Sequence, residues 1–378
     1  MYFFKTWIKQ EWLLLTFSLL FLGLIFCFPQ PIKLLPNYVD WRTIAALSGF
    51  LLITTGLKTS GYFDSLAYRI LQRFSQERSL TLALIFTTAF FASLLTNDIA
   101  LFIIVPVTLS IQDILTNDLS KIIIFEAIAA NVGSVLTPFG NPQNLFIWHH
   151  WDIDFWVFLY NMLPLTLILL LLLTIMVIIC FKPHLLHPHP NRVSSKHLSL
   201  LIISLISLFS FIVALELNLH YYAFITIFLV YLTFFPTIVK QSDWKFVLLF
   251  MLMFVDLNLV ATLPWIKSFF ALLRVNRPLH LYLSSILLSQ IISNVPTAVL
   301  CSSFTHNWLV LAYGVNVGGN GTLIASLANL IALRLCQRKG MVKRFHKYSF
   351  LFLVISGFIC WLLLRIGNYN VLPYPCFS

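Results

Sequence analysis

The chain has 378 residues, of which 60% are apolar and only 10% charged. A soluble domain needs roughly 25% charged residues to cover its surface, and here apolar runs of membrane-crossing length, roughly 18 residues, recur from end to end, which excludes a soluble globular protein. The net charge of +11 sits in short segments between those runs, as the positive-inside rule expects, and this excludes a nucleic-acid partner.

Taken in chain order, Lys5 and Lys9 precede an apolar run over 12–28. No small-x-small cleavage site follows it, only Phe28-Pro29-Gln30-Pro31, so an uncleaved first span is expected. A second span covers 42–57. Residues 62–77 alternate Tyr62, Leu66, Ile70 and Phe74 with Arg69, Arg73, Gln76 and Glu77, the pattern of an interfacial amphipathic helix. The runs 79–94 and 98–115 are separated only by Leu95-Thr96-Asn97. No headgroup-reaching loop fits there, so a re-entrant hairpin over 79–115 is expected, its tip satisfied inside the protein. A broken helix over 121–148 and a span over 155–181 follow. The Pro/His/Ser stretch 183–197 is basic and reads as a linker. Spans over 198–217, 219–239 and 245–262 come next, then a second interfacial helix over 265–275. A second hairpin over 279–312 turns at Asn294, a second broken helix covers 315–335, and a last span covers 348–366.

With the N-terminus inside, 18 basic residues fall inside (Lys5, Lys9, Lys58, Arg69, Arg73, Arg78, Lys121, Lys182, Arg192, Lys196, Lys240, Lys245, Arg334, Arg338, Lys339, Lys343, Arg344 and Lys347). The other 6 of the 24 (Lys33, Arg42, Lys267, Arg274, Arg277 and Arg365) fall outside. The expectation is therefore an all-α polytopic membrane protein of about nine full spans plus two hairpins, with its N-terminus inside and its C-terminus outside. Paired full spans in place of the hairpins would give the same sides.

An internal repeat runs through this order. Asn131-Val132-Gly133 lies on Asn316-Val317-Gly318 at a shift of 185 residues, which also brings Thr137 onto Thr322 and Asn144 onto Asn329. Thr96-Asn97 lies on Ser293-Asn294 at a shift of 197. The segments divide as repeat 1 (1–182), a linker with a connecting span (183–218) and repeat 2 (219–378). The single span over 198–217 inverts the second repeat, and inverted-topology repeats place a substrate site at their interface near the bilayer midplane.

The candidate site residues interrupt apolar helices. In the first break they are Asn131, Gly133, Ser134, Thr137, Gly140, Asn141 and Asn144, with Pro138 and Pro142 among them. Gly and Pro weaken a helix, and Pro142 suits the first turn of a new half-helix. The N–H groups freed at such a start favour an anion, while freed carbonyls suit a cation such as sodium. Asn316, Gly318, Gly319, Asn320 and Thr322 repeat the arrangement, and the hairpin tips add Thr96, Asn97, Asp98, Ser293, Asn294 and Thr297. A kinked helix with glycines for close packing is the bland alternative. Three acids, Asp98, Glu126 and Asp256, fall within spans. Intramembrane acids must be protonated, paired or hydrated, which makes them proton-coupling candidates.

The six cysteines have no metal spacing and read as packing residues. The histidines, including His149, His150, His187 and His189, form no ligand pattern, so no metal centre or other cofactor is expected beyond a coupling proton or sodium ion. No HExxH, Walker A or GxSxG motif occurs, which argues against an enzyme.

On these residues the chain resembles the ion transporter superfamily of arsenite permeases, citrate and dicarboxylate carriers and sodium/proton antiporters. Thr96-Asn97-Asp98-Ile99-Ala100 through Pro106 resembles the hairpin of arsenite permease-like members, and 131–144 and 316–329 resemble the paired broken-helix motifs. The resemblance extends over nearly the whole chain in element order and is closest to a small bacterial inner-membrane branch. It implies secondary transport of a small anion or oxyacid, coupled to protons or sodium by alternating access, in a lipid bilayer, as a homodimer. Cation/proton antiport without an organic substrate is the alternative. Dicarboxylate carriers of the superfamily have Ser-Asn-Thr at both tips, and this chain departs from that with Thr96-Asn97-Asp98 and Ser293-Asn294-Val295.

Overall fold

The computed structural model describes residues 12–27, 32–62, 74–110, 118–185, 197–336, 338 and 340–366. Most of the first amphipathic segment, 63–73, and most of the linker, 186–196, lie outside them. The described residues form helices and no strand beyond an isolated bridge of Gln76 with Leu185. Among the described residues, five helices are long and apolar enough to cross a membrane: Glu77–Leu94, Phe155–Cys180, Leu198–Glu216, Trp244–Thr262 and Met341–Arg365. The long helices leave large apolar side chains uncovered, such as Leu167, Leu171, Ile175 and Ile179 on one and Ile202, Ile206 and Phe209 on another. That surface is a liability in water and the expected finish in lipid, where the solvent is itself apolar.

The chain folds into two compact units, each assembled from two stretches. The first unit takes residues up to Ser60 together with His197–Leu272. Its helices are α1 (Trp12–Cys27) and α2 (Trp41–Thr59) from the first stretch, and α8 (Leu198–Glu216), α9 (His220–Phe234), α10 (Pro236–Gln241), α11 (Trp244–Thr262) and α12 (Pro264–Leu273, whose last residue passes into the other unit) from the second. Asp40 starts α2 by accepting from the Thr43 backbone at 3.1 Å. This helix is the hub of the unit and packs against α8, α9, α10 and α11. Phe50 meets Phe211 edge-on at 5.1 Å, and the Tyr231 hydroxyl donates to Ser204 Oγ at 2.7 Å. Leu24 of α1 joins Val255, Leu259 and Leu263 in a buried apolar cluster. The apolar run 219–239 is two helices, because Pro236 lacks a backbone donor and restarts the chain as α10.

The second unit holds Gly61–Lys196 and Leu273–Ser378. Its first stretch gives α3 (Glu77–Leu94), α4 (Asn97–Ser110), α5 (Leu119–Gly133), α6 (Pro142–His150) and α7 (Phe155–Cys180). Its second gives α13 (Pro278–Ile292), α14 (Asn294–Ser302), α15 (Trp308–Gly318), α16 (Leu327–Cys336) and α17 (Met341–Ile366). Each stretch therefore reads helical hairpin, interrupted helix, long helix. The apolar run 295–312 differs from its sequence reading. It is two helices joined by a turn at 303–307, so α15 begins at Trp308 and not at 315. Asn307 caps α15 by accepting from the Val310 backbone at 3.1 Å. The apolar residues on both sides of the turn hide it from a hydropathy count.

Packing in the second unit is paired. Helix α3 packs on α5 as α13 packs on α15, and α4 on α16 as α14 on α6. Close approach at each first pair requires glycine. A Cβ on Gly133 would sit 2.0 Å from the Ala89 carbonyl oxygen, and one on Gly318 2.8 Å from Ser289 Cβ and 3.1 Å from Ile286 Cα. At one end of this unit Arg78 donates to the Phe181 carbonyl at 2.8 Å. Nearby, Lys121 donates to the Cys180 carbonyl with its ammonium 4.4 Å from the Phe181 ring centre.

Candidate functional site

Helix α5 stops at Gly133, and α6 resumes at Pro142; α15 stops at Gly318, and α16 resumes at Leu327. Stops and restarts are each 185 residues apart (133 to 318, 142 to 327). The intervening carbonyls have lost their helical donors, and those of buried residues such as Ser134, Val135, Thr137 and Gly319 require another donor.

The asparagines supply them. Asn144, in the first turn of α6, donates from Nδ2 back to the carbonyls of Ser134 (3.2 Å), Val135 (3.2 Å) and Thr137 (3.3 Å). Asn329, in the first turn of α16, donates to the carbonyls of Gly319 (3.0 Å) and Thr322 (3.1 Å). These are the same positions under the shift of 185. The two breaks are then joined crosswise. Asn131 donates to Asn329 Oδ1 at 2.9 Å, and Asn316 donates to Asn144 Oδ1 at 2.7 Å. Asn131 also donates to the Gly319 carbonyl at 3.2 Å and accepts from Ser326 at 2.9 Å. Asn141 donates to Asn316 Oδ1 at 3.1 Å and to Ser134 Oγ at 3.0 Å, and its own Oδ1 caps α6 by accepting from the Asn144 backbone at 2.9 Å.

Each hairpin tip is tied to the break of its own stretch. The Thr137 hydroxyl donates to the Ser93 carbonyl at 2.7 Å, and the Thr322 hydroxyl to the Gln290 carbonyl at 3.1 Å. The Asn97 backbone donates to the Gly140 carbonyl at 2.9 Å. Thr96 Oγ1 accepts from the Ile99 backbone, and Asn97 Oδ1 from that of Asp98, so the tip caps α4. Asp98 is part-buried in the first turn of α4. At the second tip, Ser293 carries φ 76° and ψ 157°, a region that is essentially glycine's own. Its hydroxyl lies 3.4 Å from the Ala325 carbonyl, and Thr297 donates to the Ser293 carbonyl at 2.8 Å. Asn294 is buried against Gly319, where a Cβ would stand 2.9 Å from its Nδ2.

The structure thus gathers the tip and break candidates of both stretches into one buried polar cluster. Two placements differ from a lining role. Thr137 and Thr322 turn toward the hairpins, and Asn131 and Asn144 are engaged with the opposite break. Among the described residues, Asn320 Oδ1 is buried and accepts no hydrogen bond. Glu126 lies on α5, outside the cluster, and accepts from the Thr108 hydroxyl of α4. Asp256 belongs to the other unit, buried on α11.

Gln290, Ser326, Gln143 and Asn329 were not among the sequence candidates. Gln290 spans the second break, donating to the carbonyls of Gly318 (2.7 Å) and Asn320 (3.1 Å) and accepting from the Thr322 backbone (2.9 Å). Its signal was a lone amide in an apolar helix, which membrane burial makes informative. That of Asn329 was the repeat register itself.

Four helices, α4, α6, α14 and α16, begin at this cluster, two at hairpin tips and two at breaks. Only α4 carries an acid in its first turn. The arrangement of apolar helices around buried interruptions is that of a membrane transporter. The description of the citrate transporter family matches residues 6–307. The inner membrane protein YbiR of Escherichia coli (strain K12) is 37% identical over 346 residues, covering 91% of this chain and 93% of that protein. The uncharacterized transporter MJ0456 of Methanocaldococcus jannaschii is 38% identical over 326 residues, covering 85% of this chain and 87% of that protein. The chain belongs to the citrate transporter family.

Proposed function

We propose that this protein is a secondary active transporter that moves a small anion or oxyacid across a bacterial inner membrane by alternating access, with protons or sodium as the coupling ion. The observation that carries this reading is the convergence of four helix starts on one buried cluster, three of them with no acid in the first turn. Helix starts carry a partial positive charge, and any first-turn N–H that the caps leave free adds to it, each start favouring an anion by about 0.3–1 kcal/mol at exposed sites and more when buried. The unsatisfied Asn320 oxygen offers an acceptor for a cation or for a proton borne by the substrate. The equal spacing of stops and restarts supports two inverted repeats, whose meeting point is the usual place for such a site. The inside N-terminus and outside C-terminus rest on the basic-residue count.

Full-length chain in proteoliposomes tests this. Citrate and smaller oxyacids are offered under an imposed pH or sodium gradient. Accumulation that collapses when the gradient is dissipated is the expected result. Asp98 at the first tip favours the second reading, cation/proton antiport. That reading takes over if sodium or potassium drives proton efflux with no anion present and no anion accumulates.

A further inference from the structure

We propose that Glu126 is a proton-binding site wedged between the first hairpin and the first broken helix, resting on the transporter reading above as its coupling element. Its carboxyl is fully buried at the middle of α5. Thr108, on the outgoing leg of the hairpin, donates to Oε1, and among the described residues Oε2 has no partner. Helices α3, α4, α7, α16 and α17 pack against α5. Their titratable or charged residues are Glu77 and Arg78 on α3, Asp98 on α4, and Tyr160 and Cys180 on α7. On α16 they are Arg334 and Cys336, and on α17 Lys343, Arg344, His346, Lys347, Tyr348, Cys360 and Arg365. None of these described groups hydrogen-bonds the Glu126 carboxyl, and no charge among them stands beside it. A bare carboxylate there would be an unpaired buried charge, costing several kcal/mol. The site closes with a proton on Oε2.

The acid is not a packing requirement. The registers that align the breaks and the hairpins place Leu311 at the position of Glu126 (126 + 185) and Thr305 at that of Thr108 (108 + 197). Leu311 is fully buried on α15, so the same slot in the second stretch is filled by a hydrocarbon. Only the first stretch adds a titratable group. It sits five residues before Asn131, on the helix that ends at the candidate site, and its partner is on the hairpin whose tip is bonded to Gly140. Loss of the proton to water leaves a carboxylate that must be hydrated, which parts α4 from α5; uptake of the proton rejoins them. No other bond is made or broken.

The test reads the proton directly. Infrared difference spectra are taken between acidic and alkaline buffer on the full chain in lipid nanodiscs. A titrating carboxylic-acid C=O band is expected, absent from Glu126→Gln and retained in Asp98→Asn and Asp256→Asn. Thr108→Val should move that band to higher frequency, because the carbonyl loses its hydrogen bond. No such band in the parent chain, survival of the band in Glu126→Gln, or an unmoved band in Thr108→Val overturns the proposal. If Glu126→Gln does not fold, the Thr108→Val shift decides alone. No substrate enters the measurement, so its outcome is separate from the transport assay.

Discussion

The break after Gly133 is stiffened by prolines of its own chain, whereas the break after Gly318 has none and gains an added tie from a neighbouring helix. In the first, Pro138 and Pro142 fix the backbone, Asn141 caps the restart, and Asn141 and Asn144 return to the carbonyls of Ser134, Val135 and Thr137. In the second, Gly318, Gly319 and Gly321 leave the backbone loose, with Gly321 at φ 105°, and a short 3-10 turn over Leu323–Ala325 bridges to α16. Gln290 reaches across from the hairpin to compensate. At the matching position in the first hairpin, Ser93 offers only its carbonyl to the break, while its hydroxyl donates to Phe90 within its own helix. Proline restricts the unfolded chain as well as the folded one, and glycine does the reverse. The same interruption was therefore reached by pre-setting the backbone on one side and by adding side-chain ties on the other.

Removing the shared asparagine tests the common part of the plan, and here the largest effect is expected. Asn144→Ala strands the buried Val135 carbonyl and one N–H of the Asn316 amide. At about 1–3 kcal/mol for each stranded group, the loss should reach about 3 kcal/mol or more. Asn329→Ala should cost less, since it serves fewer carbonyls. Thermal melts of the two variants in detergent decide; equal losses would erase the distinction drawn between the breaks.

Gln290→Ala addresses the part that differs. It removes the clamp across the second break and should lower stability by about 2 kcal/mol. Ser93→Ala, the matching change in the first hairpin, should stay within about 0.5 kcal/mol, because the carbonyl that receives Thr137 is retained. A costly Ser93→Ala would show that the first break also depends on its hairpin side chain.

The smallest effect has the opposite sign. Ser293→Gly relieves a backbone conformation that costs a non-glycine residue about 1–3 kcal/mol and gives up only hydroxyl contacts of 3.4 Å. A net gain of up to about 1 kcal/mol is expected in the same melts. Destabilisation instead would mean that the Ser293 hydroxyl, and not the turn, sets the second tip.

Much of this molecule is legible in the sequence because hydropathy and helix breakers act locally. The apolar runs gave most helices to within a few residues, and the Gly/Pro/Asn clusters marked both interruptions. The shift of 185 foretold that their stops and restarts would keep register. The turn at 303–307 carries its own polar signal in Ser302, Ser303, Thr305, His306 and Asn307, which the apolar residues on both sides outweigh in a hydropathy count. Not legible was the division into two units, in which residues before Ser60 join 197–272 while the hairpins and breaks of both stretches come together. Residue type showed that Asn131, Asn144, Asn316 and Asn329 needed partners, but not that the partners are one another across 172 and 198 residues. It could not reveal that Gln290 serves the second break from another helix. A buried carbonyl accepts from whichever donor the packing brings within about 3 Å. That choice belongs to the tertiary structure alone.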